Sequence, residues 1–390
     1  MVTLKKKRWG KVKLDYMLFA LAYFPWVISW MFTSTHYKDI LHPYGIIRVW
    51  NYIGVALLVV KLLTRRGKKL KFIFFTIIIL IVGVIVSRDN GNASFVFYSM
   101  FLIISASNLD IEKIIKQTLL CQIFSMGLVI GSSLIGIIPN EMVRTSAGGF
   151  VRYRYGLGYT YATFAPNFFL SIVIEIFFLK YKKKRKWKIW EITVLMLVNT
   201  ILYDYTGTRT TFILVILMLL FALGSKIFRN EKIYLKKLFS NIYIIMAVFS
   251  ILTSALYSSS VSWMNNLNNL LSQRLRFAQQ GLITWGVSFF GKSVSWDVDA
   301  ASYNYVDSSY INILICYGIL VFLIVIIGFT ITTYNASKYN DIGLLFVLVI
   351  WAIRAVIDPQ LFLIWFNPFM FYIGVAILDN FKRYRRNIKS

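Results

Sequence analysis

Arginines flanked by tyrosine or threonine recur in this chain and are suited to binding phosphate groups. Arg152 and Arg154 are separated by one tyrosine, so both would project to the same side of an extended segment. Arg209 follows Thr208 where an apolar helix is predicted to begin. The N-terminus of a helix offers free N–H groups and a positive dipole end to an anion. Because guanidinium is a planar fork of donors, both segments predict sites for phosphate or diphosphate.

A second set of residues combines arginine with a carboxylate. Arg274 and Arg276 fall within a predicted helix, where a spacing of two points them to roughly opposite faces, so we expect only one of them to enter a site. Asp307 leads into an apolar span, and a carboxylate beside arginine suggests proton abstraction from an anionic substrate. The alternative remains open that the arginines only pair with loop acids, namely Asp39, Asp89, Glu141, Asp204, Asp297, Asp299, Asp307 and Asp358.

The elements that must position these residues are membrane-spanning helices. Of the 390 residues, 58% are hydrophobic and only 15% are charged, against about 25% charged in a soluble domain. With a mean hydropathy of +0.65, this composition excludes an ordinary soluble enzyme and a disordered chain. Helices are the open-chain structure that satisfies its own backbone in lipid. About 12 are predicted, at roughly 14–33, 45–63, 72–87, 94–107, 118–138, 167–180, 189–203, 210–224, 238–257, 309–333, 341–357 and 361–379.

The charge distribution orients this bundle. The 43 Lys and Arg exceed the 16 Asp and Glu by 27. The basic runs all fall on one side if both termini are cytoplasmic, as the positive-inside rule expects, so orientation or contact with anionic lipid explains them without nucleic acid. The 11 cations left for the outer side include nine arginines; they are Lys38, Arg48, Arg88, Arg144, Arg152, Arg154, Arg209, Arg274, Arg276, Lys292 and Arg354.

Two outer segments, at about 139–167 and 258–308, are too long to be simple connections. The larger one lies between the ninth and tenth predicted helices and contains a helical pattern that Asn265 or Asn266 would cap. One face of that pattern consists of Leu267, Leu270, Leu271, Arg274 and Ala278, with Leu275 close by. We therefore expect a single membrane domain, 1–390, with a helix in this loop that lies at the membrane interface or packs on the bundle.

Two patterns that usually indicate cofactor sites are poor predictors here. The segment Gly286–Ser293 matches the G-x-x-x-x-G-K-S pattern of a nucleotide-binding loop, but that pattern has meaning only between a strand and a helix of an α/β domain. His36 and His42 lack the cysteine cluster that would make them a good transition-metal site. We expect neither ATP nor a metal ion to bind.

Three polar or reactive residues lie within predicted spans. Cys121 and Cys316 are in different apolar stretches and do not indicate a disulfide framework. Glu175 lies in the sixth predicted helix, and a carboxylate in lipid must face the bundle interior or water, or carry a proton. A structural role and a proton-relay role for Glu175 both remain open.

The order of these motifs resembles the bacterial O-antigen and capsule polysaccharide polymerase family (the Wzy type), which is related to the O-antigen ligases. The resemblance extends over most of the chain and includes the number of spans and the large outer loop. It is carried by Arg154-Tyr155-Gly156-Leu157-Gly158 with Pro166-Asn167, Thr206-Gly207-Thr208-Arg209-Thr210, Leu270-Leu271-Ser272-Gln273-Arg274-Leu275, Phe290-Gly291, Asp307-Ser308-Ser309-Tyr310-Ile311 and Tyr317-Gly318. The ligase relatives often have a histidine where this chain has Asp307. The family's usual histidine before Pro-Asn is Ala165 here. These departures leave either Asp307 as the base or a mechanism that needs no base.

The resemblance implies a GT-C-like, all-helical glycosyltransferase in the cytoplasmic membrane of a bacterium. It would join undecaprenyl-diphosphate-linked oligosaccharide repeat units on the outer face, with inversion and without a metal ion or other cofactor. The expected catalytic residues are Asp307, Arg209 and Arg274, and the expected diphosphate-binding residues are Arg152, Arg154, Arg209 and Arg276. Membrane lipid is an expected partner, a complex with a flippase and a chain-length regulator is compatible with this role, and nucleic acid is not expected.

Two alternatives remain from other classes of protein. A polysaccharide flippase of the same pathway also has about 12 spans, but such transporters tend to carry internal repeats and short loops, and no convincing repeat is visible here. A ligase-type transferase would move a finished polymer to another acceptor. A purely structural scaffold would explain neither the arginine bias nor the large loop.

Overall fold

The computed structural model describes residues 2–64, 70–89, 94–147, 150–228, 236–297 and 303–377. The chain is 74% helical. Within the described residues, five helices are long and apolar enough to cross a membrane: Lys13–Thr33, Pro43–Leu63, Ile111–Leu134, Phe164–Lys182 and Gly318–Lys338. Six shorter apolar helices accompany them. The protein is therefore a helical membrane protein in its architecture, as the composition predicts.

The elements follow one another in a chain dominated by helices, with one short hairpin. They are α1 (Val2–Thr33), α2 (Lys38–Leu41), α3 (Pro43–Leu63), α4 (Leu70–Asp89), α5 (Ser94–Ala106), α6 (Ile111–Leu134), β1 (Met142–Ala147), β2 (Phe150–Tyr155), α7 (Phe164–Lys182), α8 (Ile189–Thr206), α9 (Arg209–Phe228), α10 (Lys236–Ser240), α11 (Ile242–Ala255), α12 (Ser262–Leu270), α13 (Arg274–Trp285), α14 (Ser309–Cys316), α15 (Gly318–Lys338), α16 (Ile342–Arg354), a 3-10 turn (Pro368–Met370) and α17 (Phe371–Ile377).

Several predicted helices are interrupted. The stretch 309–333 forms α14 and α15, which are separated at Tyr317, and Gly318 has a φ of 82°. The predicted helix of the large loop is divided into α12 and α13 by a turn at residues 271–273. The prediction of a helix over 361–379 is wrong for its first half: residues 355–367 are irregular, and the helix α17 begins only at Phe371. Non-helical backbone is tolerated there because the segment is buried in protein.

Contacts divide the chain into two compact units, residues 1–57 with 110–233 and residues 58–109 with 234–390. In the first unit, α7 contacts α6, α8 and α9, and its residues from Ala165 to Glu175 are buried without interruption. The β1–β2 hairpin is antiparallel, with Val143 opposite Arg154, and β2 contacts α8. A bridge between Thr35 and Tyr159 joins the segment after the hairpin to the end of α1. This unit thus positions Arg154 beside the end of α8.

In the second unit, α15 is the central helix and contacts α4, α10, α11, α14, α16 and α17. The rings of Tyr243 on α11 and Phe329 on α15 stack with centroids 4.5 Å apart. Helix α17 lies so close to α5 that a Cβ on Gly374 would be 2.1 Å from the main-chain oxygen of Ile103. Helices α14 and α16 are joined directly, since Oη of Tyr310 donates to the main-chain oxygen of Ala352 at 2.9 Å.

Large apolar side chains remain exposed along several helices. On α4 they include Phe74, Ile77, Ile81 and Val84, and α8 exposes Trp190 and Leu197 among others. A soluble protein rarely exposes contiguous apolar surface of this kind. These faces are suited to lipid.

Candidate functional site

Arg154 in β2 is bound to the end of α8. Its Nε donates to the main-chain oxygen of Thr206 at 2.6 Å, and its Nη2 donates to Oγ1 of Thr208 at 3.3 Å. The last carbonyl groups of a helix have no partner within the helix, so Arg154 satisfies one of them. Gly207 between the two threonines has a φ of 62° and ends α8 in the left-handed conformation. The guanidinium expected to bind diphosphate is therefore engaged in holding a turn.

Arg209 is the first residue of α9, immediately after that turn, and its side chain is exposed. Two hydrogen bonds fix the start of the helix: Oγ1 of Thr211 donates to Oδ1 of the buried Asn167 at 3.0 Å, and Nδ2 of Asn199 donates to the main-chain oxygen of Phe212 at 3.1 Å. Arg152 lies in β2 opposite Thr145, and its side chain lies outside the described part of the structure. The structure thus brings Arg154 and Arg209 to the same turn, where one supports the loop and the other is accessible.

In the second unit, a strained turn precedes Arg274. Ser272 and Gln273 have φ values of 55° and 67°, a conformation that residues other than glycine rarely adopt. Buried Asn268 stabilises the turn, because its Nδ2 donates to Oε1 of Gln273 at 2.7 Å and its Oδ1 accepts from the main-chain N–H of Arg276 at 3.1 Å. Such strain persists where surrounding contacts over-determine it, often at functional sites.

Arg274 and Asp307 form an ion pair, with Nε of the arginine 3.3 Å from Oδ2 of the aspartate. Both side chains are mostly buried, with 22% and 21% of their surface exposed, so only part of the pair is accessible. The pKa of Asp307 is raised from 3.8 to about 6: burial is the largest cause, the charge of Asp358 adds to the rise, and Arg274 and a hydrogen bond with Tyr303 oppose it. A carboxyl group with this pKa is ionised at neutral pH and is a stronger base than an ordinary aspartate.

Ser309 links the Asp307 segment to the irregular chain after α16. Its main-chain N–H donates to the oxygen of Ala355 at 2.8 Å, and its Oγ donates to the main-chain oxygen of Asp358. The same Oγ accepts from the main-chain N–H of Leu361 at 3.1 Å. These bonds hold Asp358 close enough for its charge to act on Asp307.

Arg354 at the end of α16 completes this cluster. Its side chain is only 1% exposed, its Nη2 lies 3.7 Å from Oδ2 of Asp358, and the same nitrogen donates to Oε1 of Gln360. Within the described residues, Nε and Nη1 of Arg354 have no hydrogen-bond partner. Arg354, Asp358 and Gln360 are not among the site residues predicted from the sequence. The sequence feature that could have indicated this cluster is an arginine at the end of an apolar span, followed four residues later by an aspartate.

Arg276 does not join the cluster, since its side chain is exposed and its guanidinium lies 4.9 Å from the ring of Phe277. Only Arg274 of the two helix arginines contacts the carboxylate. Arg274 and Arg354 pair with acids, as one interpretation of the outer arginines predicts. Arg209 is exposed, as the other interpretation, an anion site, requires. No group of three or more residues that could hold a metal ion occurs in the described ranges.

The segment Gly286–Ser293 packs against the junction of α14 and α15. The main-chain oxygens of Ser288 and Phe289 accept from the N–H groups of Ile319 at 3.0 Å and Leu320 at 3.2 Å, which are free donors at the start of α15. Nζ of Lys292 donates to the main-chain oxygen of Trp285. The lysine that would contact phosphate in a nucleotide-binding loop thus has an internal partner, and the segment caps a helix.

Glu175 is fully buried in α7, near Gln122 of α6 and Tyr23 of α1. Tyr23 in turn hydrogen-bonds Thr118, with 3.0 Å between Oη and Oγ1. This side chain faces the interior of the first unit, as the cost of a carboxylate in lipid requires.

The turn that holds Arg154 and Arg209 and the cluster around Asp307 are suited to different chemistry. The turn around Arg154 presents Arg209 at a helix N-terminus, which suits an anion. The cluster in the second unit pairs an accessible carboxyl base with Arg274 and also contains a second, buried arginine, which suits deprotonation next to negative charge.

Comparison with known proteins gives no family model that matches the chain, no match among curated proteins and no matching solved structure.

Proposed function

We propose that the protein is a membrane glycosyltransferase that polymerises lipid-linked oligosaccharide repeat units on the outer face of a bacterial cytoplasmic membrane. The observation that carries the proposal is the accessible Arg274–Asp307 pair, in which the carboxyl group has a pKa near 6. The resemblance to the O-antigen polymerase family supplies the substrate, an oligosaccharide on undecaprenyl diphosphate. About 12 spans with both termini cytoplasmic are part of the proposal, supported by the basic runs.

In the proposed reaction, the carboxylate of Asp307 takes the proton of the acceptor sugar hydroxyl. The resulting oxygen forms a bond to the anomeric carbon of the donor chain as the bond from that carbon to the diphosphate oxygen breaks. Attack from the opposite face inverts the anomeric centre. The electron pair of the broken bond remains on the diphosphate, where Arg274 stabilises the developing charge.

Arg354 contributes to the same cluster from the interior. A buried guanidinium with two unpaired nitrogens keeps a positive potential beside Asp358 and limits the effect of that carboxylate on Asp307. We assign Arg209 to diphosphate binding on separate grounds, from its exposure at the first turn of α9.

A cell-free assay tests the proposal. The purified full-length protein in detergent would receive lipid-linked repeat units, without nucleotide or divalent metal, and the products would be separated on a gel. We expect a ladder of polymer from the wild type and none from Asp307→Asn. The matched control is Asp39→Asn, which changes an exposed aspartate of α2 and should leave the ladder intact. Intact substrate with folded wild-type protein and no ladder would overturn the proposal.

Transport of a lipid-linked saccharide is the second candidate, and Glu175 is the observation that favours it. A buried carboxyl group in a spanning helix is a common element of proton-coupled transporters. A transporter would move labelled substrate across a vesicle membrane in response to a pH gradient, would lose this activity in Glu175→Gln, and would form no ladder.

A further inference from the structure

An open groove in the first unit lies between the ends of α6 and α7. Its volume is about 210 Å³. Apolar side chains of the two spanning helices form its wall, including Leu119 and Leu120 on α6 and Ile176 and Leu179 on α7. Leu120 is 56% exposed, so the groove is open toward the side where the helices would meet lipid.

The rim of this groove is cationic. Lys116 from α6 and Lys180, Lys183 and Arg185 from the end of α7 line it. Lys180 is paired with Glu191. Among the described residues, none of Lys116, Lys183 and Arg185 forms an ion pair, so no described carboxylate neutralises these three positive charges at the groove.

Nearby carboxylates are already engaged by other groups. Oε1 of Glu112 lies 3.7 Å from Nζ of Lys182, and Glu191 binds Lys180. Asp110 caps the start of α6 by accepting from the main-chain N–H of Lys113 at 3.2 Å. An external anion is therefore the natural complement of the remaining three cations.

The chain at the end of α7 is bent in a way that returns Arg185 to the groove. The main-chain N–H of Arg185 donates to the oxygen of Lys180 at 3.0 Å, and that of Lys184 donates to the oxygen of Tyr181 at 3.0 Å. This pair of bonds is a Schellman motif, which normally has glycine at the left-handed position. Lys184 occupies that position with a φ of 54°.

We propose that this groove binds the headgroup phosphate of an anionic phospholipid, with an acyl chain along the apolar wall. A basic rim around an aliphatic wall matches a ligand that has one anionic end and one hydrocarbon end, and basic pockets between spanning helices on the cytoplasmic side bind such headgroups. A free phosphate would use the rim but gain nothing from the wall. The inference does not depend on the proposed transferase activity.

Lipid binding to the purified full-length protein tests the proposal. Phosphatidylglycerol and phosphatidylcholine would be titrated separately into detergent solution, and bound lipids would be counted by native mass spectrometry. We expect the wild type to bind the first phosphatidylglycerol more tightly than phosphatidylcholine. The groove variant Lys116→Gln/Lys183→Gln/Arg185→Gln should lose about a hundredfold in that affinity, since each of the three cations near a lipid surface contributes roughly a factor of five.

The matched control is Lys184→Gln/Lys186→Gln/Lys188→Gln, which removes three positive charges at exposed residues that follow α7 and lie outside the groove. Equal weakening in both triple variants, or no weakening in the groove variant, would overturn the proposal. Displacement of phosphatidylglycerol by excess inorganic phosphate would identify a free-anion site instead. If the groove variant shows altered thermal unfolding in detergent, Lys116→Gln and Lys183→Gln alone, both at exposed residues, replace it and must each weaken binding.

Discussion

Nε of Arg154 donates to the main-chain oxygen of Thr206 at 2.6 Å, across 52 residues of sequence. This bond makes Arg154 a structural support for the turn that presents Arg209. The two arginines therefore have separable roles, although both are candidates for the same chemistry by residue type alone.

Replacement of Arg154 should affect folding. We expect Arg154→Ala to lower the free energy of unfolding by about 2 kcal/mol, because a hydrogen bond from a charged donor is lost and the end of α8 loses a partner. The melting temperature in detergent, followed by intrinsic fluorescence, measures this. The control is Arg144→Ala on β1, whose side chain is exposed. An equal loss of stability in Arg144→Ala would contradict the assigned role.

Replacement of Arg209 should affect activity without affecting stability. We expect Arg209→Ala to reduce polymer formation on the order of a hundredfold or more, the scale for loss of one electrostatic stabiliser. Its melting temperature should stay at the wild-type value because the side chain is exposed. Arg48→Ala, at an exposed position in α3, is the matched control. A normal polymer ladder from Arg209→Ala would remove this residue from the mechanism.

The activity should depend on the protonation of Asp307. Because the base must be ionised and its pKa is about 6, kcat/KM should rise with pH and level off above about pH 7. The charge of Asp358 raises this pKa, so Asp358→Asn should move the rising limb to lower pH. Initial rates of ladder formation across pH measure the shift. An unchanged limb in Asp358→Asn, with the variant folded, would exclude Asp307 as the titrating group.

Asp307 should also lower stability at alkaline pH. Its pKa is higher in the folded state than its ordinary value of 3.8, so the folded protein loses stability as pH rises from about 4 to about 6. At about pH 8 the loss is at most about 3 kcal/mol for a shift of this size. We expect Asp307→Asn to be inactive and to melt higher than the wild type at about pH 8, with a smaller difference at about pH 4. A lower melting temperature at both values would contradict this.

A glycine at position 184 should stabilise the protein. Lys184 has a φ of 54°, and a left-handed conformation costs a residue other than glycine about 1 kcal/mol. We therefore expect Lys184→Gly to raise the free energy of unfolding by about that amount, as measured by thermal unfolding. Lys186→Gly is the comparison, and it should bring no gain because no positive φ is present at that residue.

The sequence predicts local structure well where the signal is local. The fourth and seventh predicted helices, 94–107 and 189–203, correspond to Ser94–Ala106 and Ile189–Thr206. Apolar runs bounded by polar or glycine residues define such segments. The break between α14 and α15 is different, because it depends on a close approach of Gly318 to Gly291, 27 residues earlier. No apolar pattern within 309–333 reports that contact.

In the candidate site, the sequence predicted the residue types but not their contacts, because the contacts join positions far apart in the chain. Residue type identified Arg274 and Asp307 as a cation and a base, but their pairing joins positions 33 apart in sequence. The contact of Arg154 with the main-chain oxygen of Thr206 joins positions 52 apart, so residue type alone did not reveal it. Arg354 was named only as one of the outer cations, because its place in the cluster comes from burial and from nitrogens that have no partner among the described residues, which composition does not reveal.

The capping role of the Gly286–Ser293 segment has a consequence for how this region tolerates substitution. A Cβ on Gly291 would be 2.2 Å from the main-chain oxygen of Cys316, and one on Gly318 would be 2.3 Å from the main-chain nitrogen of Gly291. Val287, Phe289 and Ser293, by contrast, are exposed. Selection for the helix cap alone would therefore conserve Gly291 while the exposed residues around it vary. Homologous chains would lose the resemblance to a nucleotide-binding loop without losing the structure that produced it.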